Sequence, residues 1–163
     1  MERQPVTSPP PPLADLLPQA APMILLSGYE TPVAEDAVEA FVDVAPSSPF
    51  FEATMDGVPS CVALEYMAQA MALCVGIRNR RRGLAPQVGF VLGSRRLELR
   101  LARFAAGERY RVRVACTFQD EAFGSFDCAI RDASGETVAS GTLTAFQPGE
   151  EALGPGAASG LMV

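Results

Sequence analysis

The sequence predicts an α+β fold in which one antiparallel sheet wraps around a single long central helix, and three observations carry that expectation. The stretch SCVALEYMAQAMALCVGI, Ser60 to Ile77, is apolar on every side of a helical wheel, the mark of a helix buried all round. On both sides of it the hydrophobic period drops from roughly 3.6 to 2 residues. The length of 163 residues suits one domain with a real core and is short for two. A sheet with one apolar face buries such a helix only by curling around it.

The elements follow in chain order. Residues 1–12, ending in PPPP, read as a Pro-rich disordered tail, and residues 149–163 as a flexible C-terminal tail. Between them, 13–148 reads as one domain. Leu13 to Leu17 forms a turn or two of helix stopped by Pro18, and MILLSGY, Met23 to Tyr29, reads as a strand. Ala37 to Val44 alternates Val38, Ala40, Val42 and Val44 against the other face. The turn-rich PSSPFFEATMDGVPS then leads to the helix, expected at about 60–79, with Pro59 or Ser60 opening it. Arg78, Arg80, Arg81 and Arg82 suit its C-terminal dipole, and Gly83 supplies the stop.

Strands are next expected over Arg95–Phe104, Glu108–Phe118, Ser125–Asp132 and Thr137–Phe146, each with one wet face. Arg109, Arg111 and Arg113 make the solvated face of the second of these. DASGE, with Gly135, is a hairpin turn. This order of elements is the hotdog architecture.

Composition narrows the chemistry. A net charge of -6 argues against a general nucleic-acid binder. A membrane span needs about 20 apolar residues, and the helical run is interrupted by Glu65 and Gln69, so no span is expected. MERQPVTSPPPPLADL has no basic segment followed by an apolar one, so no signal peptide is expected and a cytoplasmic location is. Cys61, Cys74, Cys116 and Cys128 show no metal-type pairing and read as free thiols in the core.

The chain contains no His, and all thirteen of its basic residues are Arg. A Ser-His-Asp triad, a His-ligated metal and a lysine Schiff base are impossible within this chain alone. What remains is carboxylates, hydroxyls, thiols, arginines and backbone dipoles. An acid at Glu65 with an amide one turn later at Gln69 is therefore the feature to explain, because burying a charge without a partner is costly.

Several strings bear on this. LLPQAAPMILL (Leu16 to Leu26), PFF (Pro49 to Phe51) and VPSCVALEYMAQ (Val58 to Gln69) resemble the bacterial hotdog-fold 3-hydroxyacyl-[acyl-carrier-protein] dehydratases. VGFVLGSRRLEL, FGSFDCAI and FQP look closer to the partner dehydratases of aryl polyene pathways. The similarity runs from about Leu13 to Pro148. It implies a dimer with active sites at the subunit interface, each joining a His of one chain to an acid on the central helix of the other.

Glu65 falls on that acid position. The resemblance also implies that backbone N–H groups near Ser60 and Cys61 face the thioester carbonyl, and that Gln69 orients the carboxylate or lines the acyl tunnel. No metal and no cofactor are implied beyond the phosphopantetheine arm of an acyl carrier protein. The departures matter as much: the family's catalytic His position holds Thr54, the loop to Pro59 is a few residues short, and a second family His is replaced by Gln19. A Thr hydroxyl cannot take an α-proton as an imidazole does.

The expected function is thus a dehydratase-family subunit whose Glu65 completes a site shared with a His-bearing partner, with homodimer formation also open. The arginines Arg78, Arg80, Arg81, Arg82, Arg95 and Arg96 form the one basic cluster in an acidic chain, suited to docking an acidic carrier protein. Two alternatives stand beside this reading: a hotdog acyl thioesterase using Glu65, and a non-catalytic acyl-binding or scaffold subunit.

Overall fold

The computed structural model describes residues 9–31 and 33–148. Both tail expectations fall mainly on residues outside this range. Within it, Pro11 is anchored: its carbonyl accepts a hydrogen bond of 2.8 Å from the Tyr29 hydroxyl.

A 3₁₀ turn at Leu13–Asp15 opens the domain, followed by β1 (Gly28–Tyr29), β2 (Ala37–Asp43) and β3 (Gly57–Pro59). A second 3₁₀ turn, Ser60–Val62, leads directly into α1 (Ala63–Arg81). Then come β4 (Phe90–Leu99), β5 (Arg103–Ala105), β6 (Arg109–Gln119), β7 (Phe123–Arg131) and β8 (Thr137–Phe146). Six strands form an antiparallel sheet in the order β1-β2-β6-β7-β8-β4, and β3 pairs with β5 beside it. This is the hotdog fold, with α1 packed on β2, β6 and β7.

The alternation read from sequence decides which side chains meet the helix. On β6, Tyr110, Val112 and Val114 are buried while Arg109, Arg111 and Arg113 face water. Val38, Ala40 and Val42 of β2 and Phe126, Cys128 and Ile130 of β7 extend the same apolar face. Against it α1 buries Tyr66, Met67, Ala70, Leu73 and Cys74. Phe104 sits edge-on between Tyr66 and Tyr110, with ring centroids 5.2 and 4.9 Å away, the favoured aromatic geometry. On the wet face Asp43 accepts two hydrogen bonds from Arg109, whose guanidinium also lies 4.0 Å above the Phe41 ring. DASGE is the expected turn: Gly135 has φ +89°, and the Asp132 carboxylate accepts from the Ser134 and Glu136 N–H groups.

Four expectations are corrected. Met23–Tyr29 is not a strand beyond Gly28–Tyr29, because the Leu25 N–H and the Met23 carbonyl bond to the Gln69 side chain in place of a neighbouring strand. The strand expected over Arg95–Phe104 begins instead at Phe90 and ends at Leu99, and Arg103–Ala105 pairs separately with β3.

The helix is not covered all round. Cys61, Leu64, Glu65, Ala68, Ala72 and Val75 recur at three- and four-residue spacing and form a stripe left partly open to solvent. Finally β4 is not half-buried: beyond Phe90 every residue is exposed, Val91, Leu92, Leu97 and Leu99 among them. The helix packs mainly on β2, β6 and β7, away from the β4 edge of the sheet. By length and composition alone Ser60–Arg81 would span a membrane, yet half of its apolar window is buried inside the domain.

Candidate active site

Glu65 lies in the first turn of α1, where the helix dipole favours negative charge. It is half-buried on the open stripe, less enclosed than a helix apolar on all sides would imply. One turn on, Gln69 is fully buried and holds three partners. Its Nε2 donates to Glu65 Oε1 at 2.9 Å and to the Met23 carbonyl at 2.7 Å, while its Oε1 accepts from the Leu25 N–H at 2.8 Å. The amide therefore fixes one carboxylate oxygen and ties the 23–25 segment to the helix. Among the described residues no hydrogen bond reaches Glu65 Oε2.

Around the helix start the picture is mixed. The Ser60 N–H is donated to the Ala102 carbonyl at 3.1 Å, so it does not face a thioester as expected. The Cys61 N–H lies in the first turn, where helical partners are lacking. The Cys61 side chain is exposed on the Glu65 stripe.

Thr54 is exposed in the turn of a tight hairpin closed by pairing of Glu52 with Gly57. Asp56 in that turn adopts φ +50°. Arg103 holds the hairpin by donating to the Met55 and Asp56 carbonyls. Sequence reasoning did not single out Arg103, Met23 or Leu25, since each acts through backbone groups distant in the chain.

Further along the helix lies a small cleft of about 70 Å³, partly open to solvent, between Met71, Ala72 and Val75 of α1 and the β6–β7 end of the sheet. Gln19 lines it. Gln119, on its rim, accepts from Arg78.

The arginines have different surroundings. Arg78 is half-buried and also lies 3.9 Å from Asp36. Arg81 donates to the Val33 and Ala34 carbonyls. Arg80 and Arg82 are exposed at the helix end, whereas Arg95 and Arg96 sit within β4, Arg95 opposite Thr142. Among the described residues no group of three or more His, Cys, Asp or Glu is placed to hold a metal.

Burial raises the Cys74 thiol to about 11 and the Cys128 thiol to about 12. Neither is a nucleophile near neutral pH.

A family model described as "ApeP-like: ApeP dehydratase" matches residues 11–153. No curated protein matches the chain. Among solved structures, a chain of the dehydratase heterocomplex ApeI:P from Xenorhabdus doucetiae is 30% identical, with TM-score 0.82, covering 89% of this chain and 96% of that one. A hypothetical thioesterase with coenzyme A from Streptococcus pneumoniae is 17% identical at TM-score 0.59, covering 77% and 89%. An HP0420 homologue from Helicobacter felis is 11% identical at TM-score 0.60, covering 84% and 90%. The last two share the fold alone.

Proposed function

This chain belongs to the ApeP-like dehydratase family, and from that premise we propose that it is one subunit of a 3-hydroxyacyl-carrier-protein dehydratase of the aryl polyene type, in which Glu65 completes a site shared with a His-bearing hotdog partner. The observation that carries the reading is a carboxylate held by a buried amide on an open helix face, in a chain that contains no His at all. Likeness to a chain of a dehydratase heterocomplex supports a second hotdog subunit. So do the uncovered stripe of α1 and the exposed β4 edge, which leave apolar surface for a partner.

In the mixed site the partner's imidazole takes the α-proton of the 3-hydroxyacyl thioester. Negative charge builds on the thioester oxygen, where the Cys61 N–H at the helix start stabilises it. Glu65, as general acid, passes a proton to the β-hydroxyl, the C–O bond breaks, and the α,β double bond forms. One water leaves, giving a trans-2-enoyl thioester, and the proton gained by the imidazole balances the one lost by Glu65. The reciprocal site, with Thr54 on its exposed hairpin in place of the His, is inactive. Arg80 and Arg82, exposed at the helix end, guide an acidic carrier protein by charge.

The test is intact-mass analysis of a 3-hydroxyacyl carrier protein incubated with this chain alone, with its His-bearing partner alone, and with the two co-expressed. Loss of water with the pair only is the expected result. Water loss by this chain alone overturns the shared site, and release of free carrier thiol by this chain alone favours a thioesterase.

A further inference from the structure

One bulky side chain is held in a backbone conformation that suits glycine better. Phe50 has φ +62°, in the left-handed region that large residues rarely enter. Asp56 and Arg96 share that region. Asp tolerates it through its short polar side chain, and Arg96 falls within the irregular pairing of β4 with β8. Neither reason applies to Phe50, which is also 51% exposed. A single apolar side chain at the surface needs no explanation, but one that also holds its own backbone in a strained conformation does. The reversal at Phe50 leaves its ring outside while the next residue, Phe51, packs against the core.

The loop that presents this ring is fixed at several points. Ser48 accepts through Oγ from the Ala45 N–H at 2.9 Å and through its carbonyl from the Phe51 N–H at 3.1 Å. Beyond Phe51, the Glu52 N–H donates to the Gly57 carbonyl at 2.8 Å. At its two ends, the Val44 carbonyl accepts from the Gly107 N–H at 2.8 Å and the Asp56 carbonyl from the Ala106 N–H at 3.1 Å. The same short run holds the start of the helix, since the Ser60 N–H donates to the Ala102 carbonyl. Residues 102–107 therefore carry both the Phe50 loop and the first turn that leads to Glu65. A ring held outward by so rigid a frame loses little freedom when another surface covers it.

We propose that Phe50 anchors the subunit interface, its ring seated in an apolar pocket of the His-bearing hotdog partner beside the shared site. The inference rests on the dehydratase reading for the identity of that partner: a surface that brings an imidazole to Glu65 covers the start of α1, and the Phe50 loop flanks it. Aromatic groups that become fully covered are the side chains on which interface affinity concentrates.

The experiment measures dissociation of the complex of this chain with its His-bearing hotdog partner by analytical ultracentrifugation, together with the Tm of this chain alone. Phe50→Gly removes the ring and relaxes the backbone. It is expected to weaken association by about 10-fold or more without lowering the Tm of the chain alone. Phe50→Ala, which removes the ring and keeps the strain, weakens association as much. Association of either variant within about 3-fold of the native complex overturns the proposal. So does a Tm that falls with Phe50→Gly, because the ring would then support its own loop, and so does a native chain that binds no hotdog partner. Water loss from a 3-hydroxyacyl carrier protein is read separately. A pair that assembles through Phe50 but never eliminates water refutes the dehydratase reading and leaves the anchor standing.

Discussion

Gln69 joins three parts of the molecule through one amide: Glu65 on its own helix, and the Met23 carbonyl and Leu25 N–H of a segment more than forty residues earlier. Replacing it by Leu removes all three bonds and leaves a buried N–H orphaned, at a cost of about 2–4 kcal/mol. Gln69→Leu therefore lowers Tm by several degrees and, by freeing the Glu65 carboxylate, slows dehydration by the complex; an unchanged Tm would sink this account of the amide. The thiols make a second prediction. Because burial holds Cys74 and Cys128 up to about 11 and about 12, they remain thiols through the neutral and mildly alkaline range, and iodoacetamide at about pH 8 labels exposed Cys61 first, as peptide mapping will show. At this scale the sequence was half legible. Glu65 and Gln69 at i, i+4 announce a pair on one helix face, but nothing local reveals that Gln69 reaches Met23 and Leu25, whose surroundings look like a strand.

That strand illustrates what happens to elements. MILLSGY has the composition of a strand, yet Gln69 supplies the hydrogen bonds a neighbouring strand would have made, and only Gly28–Tyr29 joins the sheet. By contrast β2, β6 and β7 were readable, because the helix that buries their apolar faces belongs to the same chain. β4 was not. Its leucines look like a core face, but among the described residues they stay exposed, and two register shifts, with Arg96 at φ +54°, interrupt its pairing with β8. The crossing of the N-terminal segment over α1 depends on Gly76, where an added Cβ would lie 2.0 Å from the Leu16 carbonyl oxygen. Gly76→Ala must push Leu16 to Gln19 away from the helix. The expected outcome is a lower Tm while far-UV circular dichroism stays near native; an unchanged Tm would show that the crossing is not tightly set.

The whole molecule presents an incomplete interior. One stripe of its central helix and, beyond Phe90, all of edge strand β4 carry apolar groups in the open, more than a self-sufficient domain of this size needs, and the chain that holds Glu65 contains no His. On the proposed assembly these gaps share one cause, a second hotdog subunit that covers the apolar surface and brings the histidine. A charge at Leu97, as in Leu97→Glu, is then expected to weaken association at least 10-fold by analytical ultracentrifugation without unfolding the chain; undiminished association would place the partner elsewhere. The most direct test of the central claim is the rate at which the co-expressed pair removes water from a 3-hydroxyacyl carrier protein when this chain carries Glu65→Gln. A fall of about 10²-fold or more, the scale of a lost general acid, with the pair still assembled, is the result the shared site predicts. Turnover within a few-fold of the unmodified pair would contradict it and leave this chain a binding or scaffolding subunit.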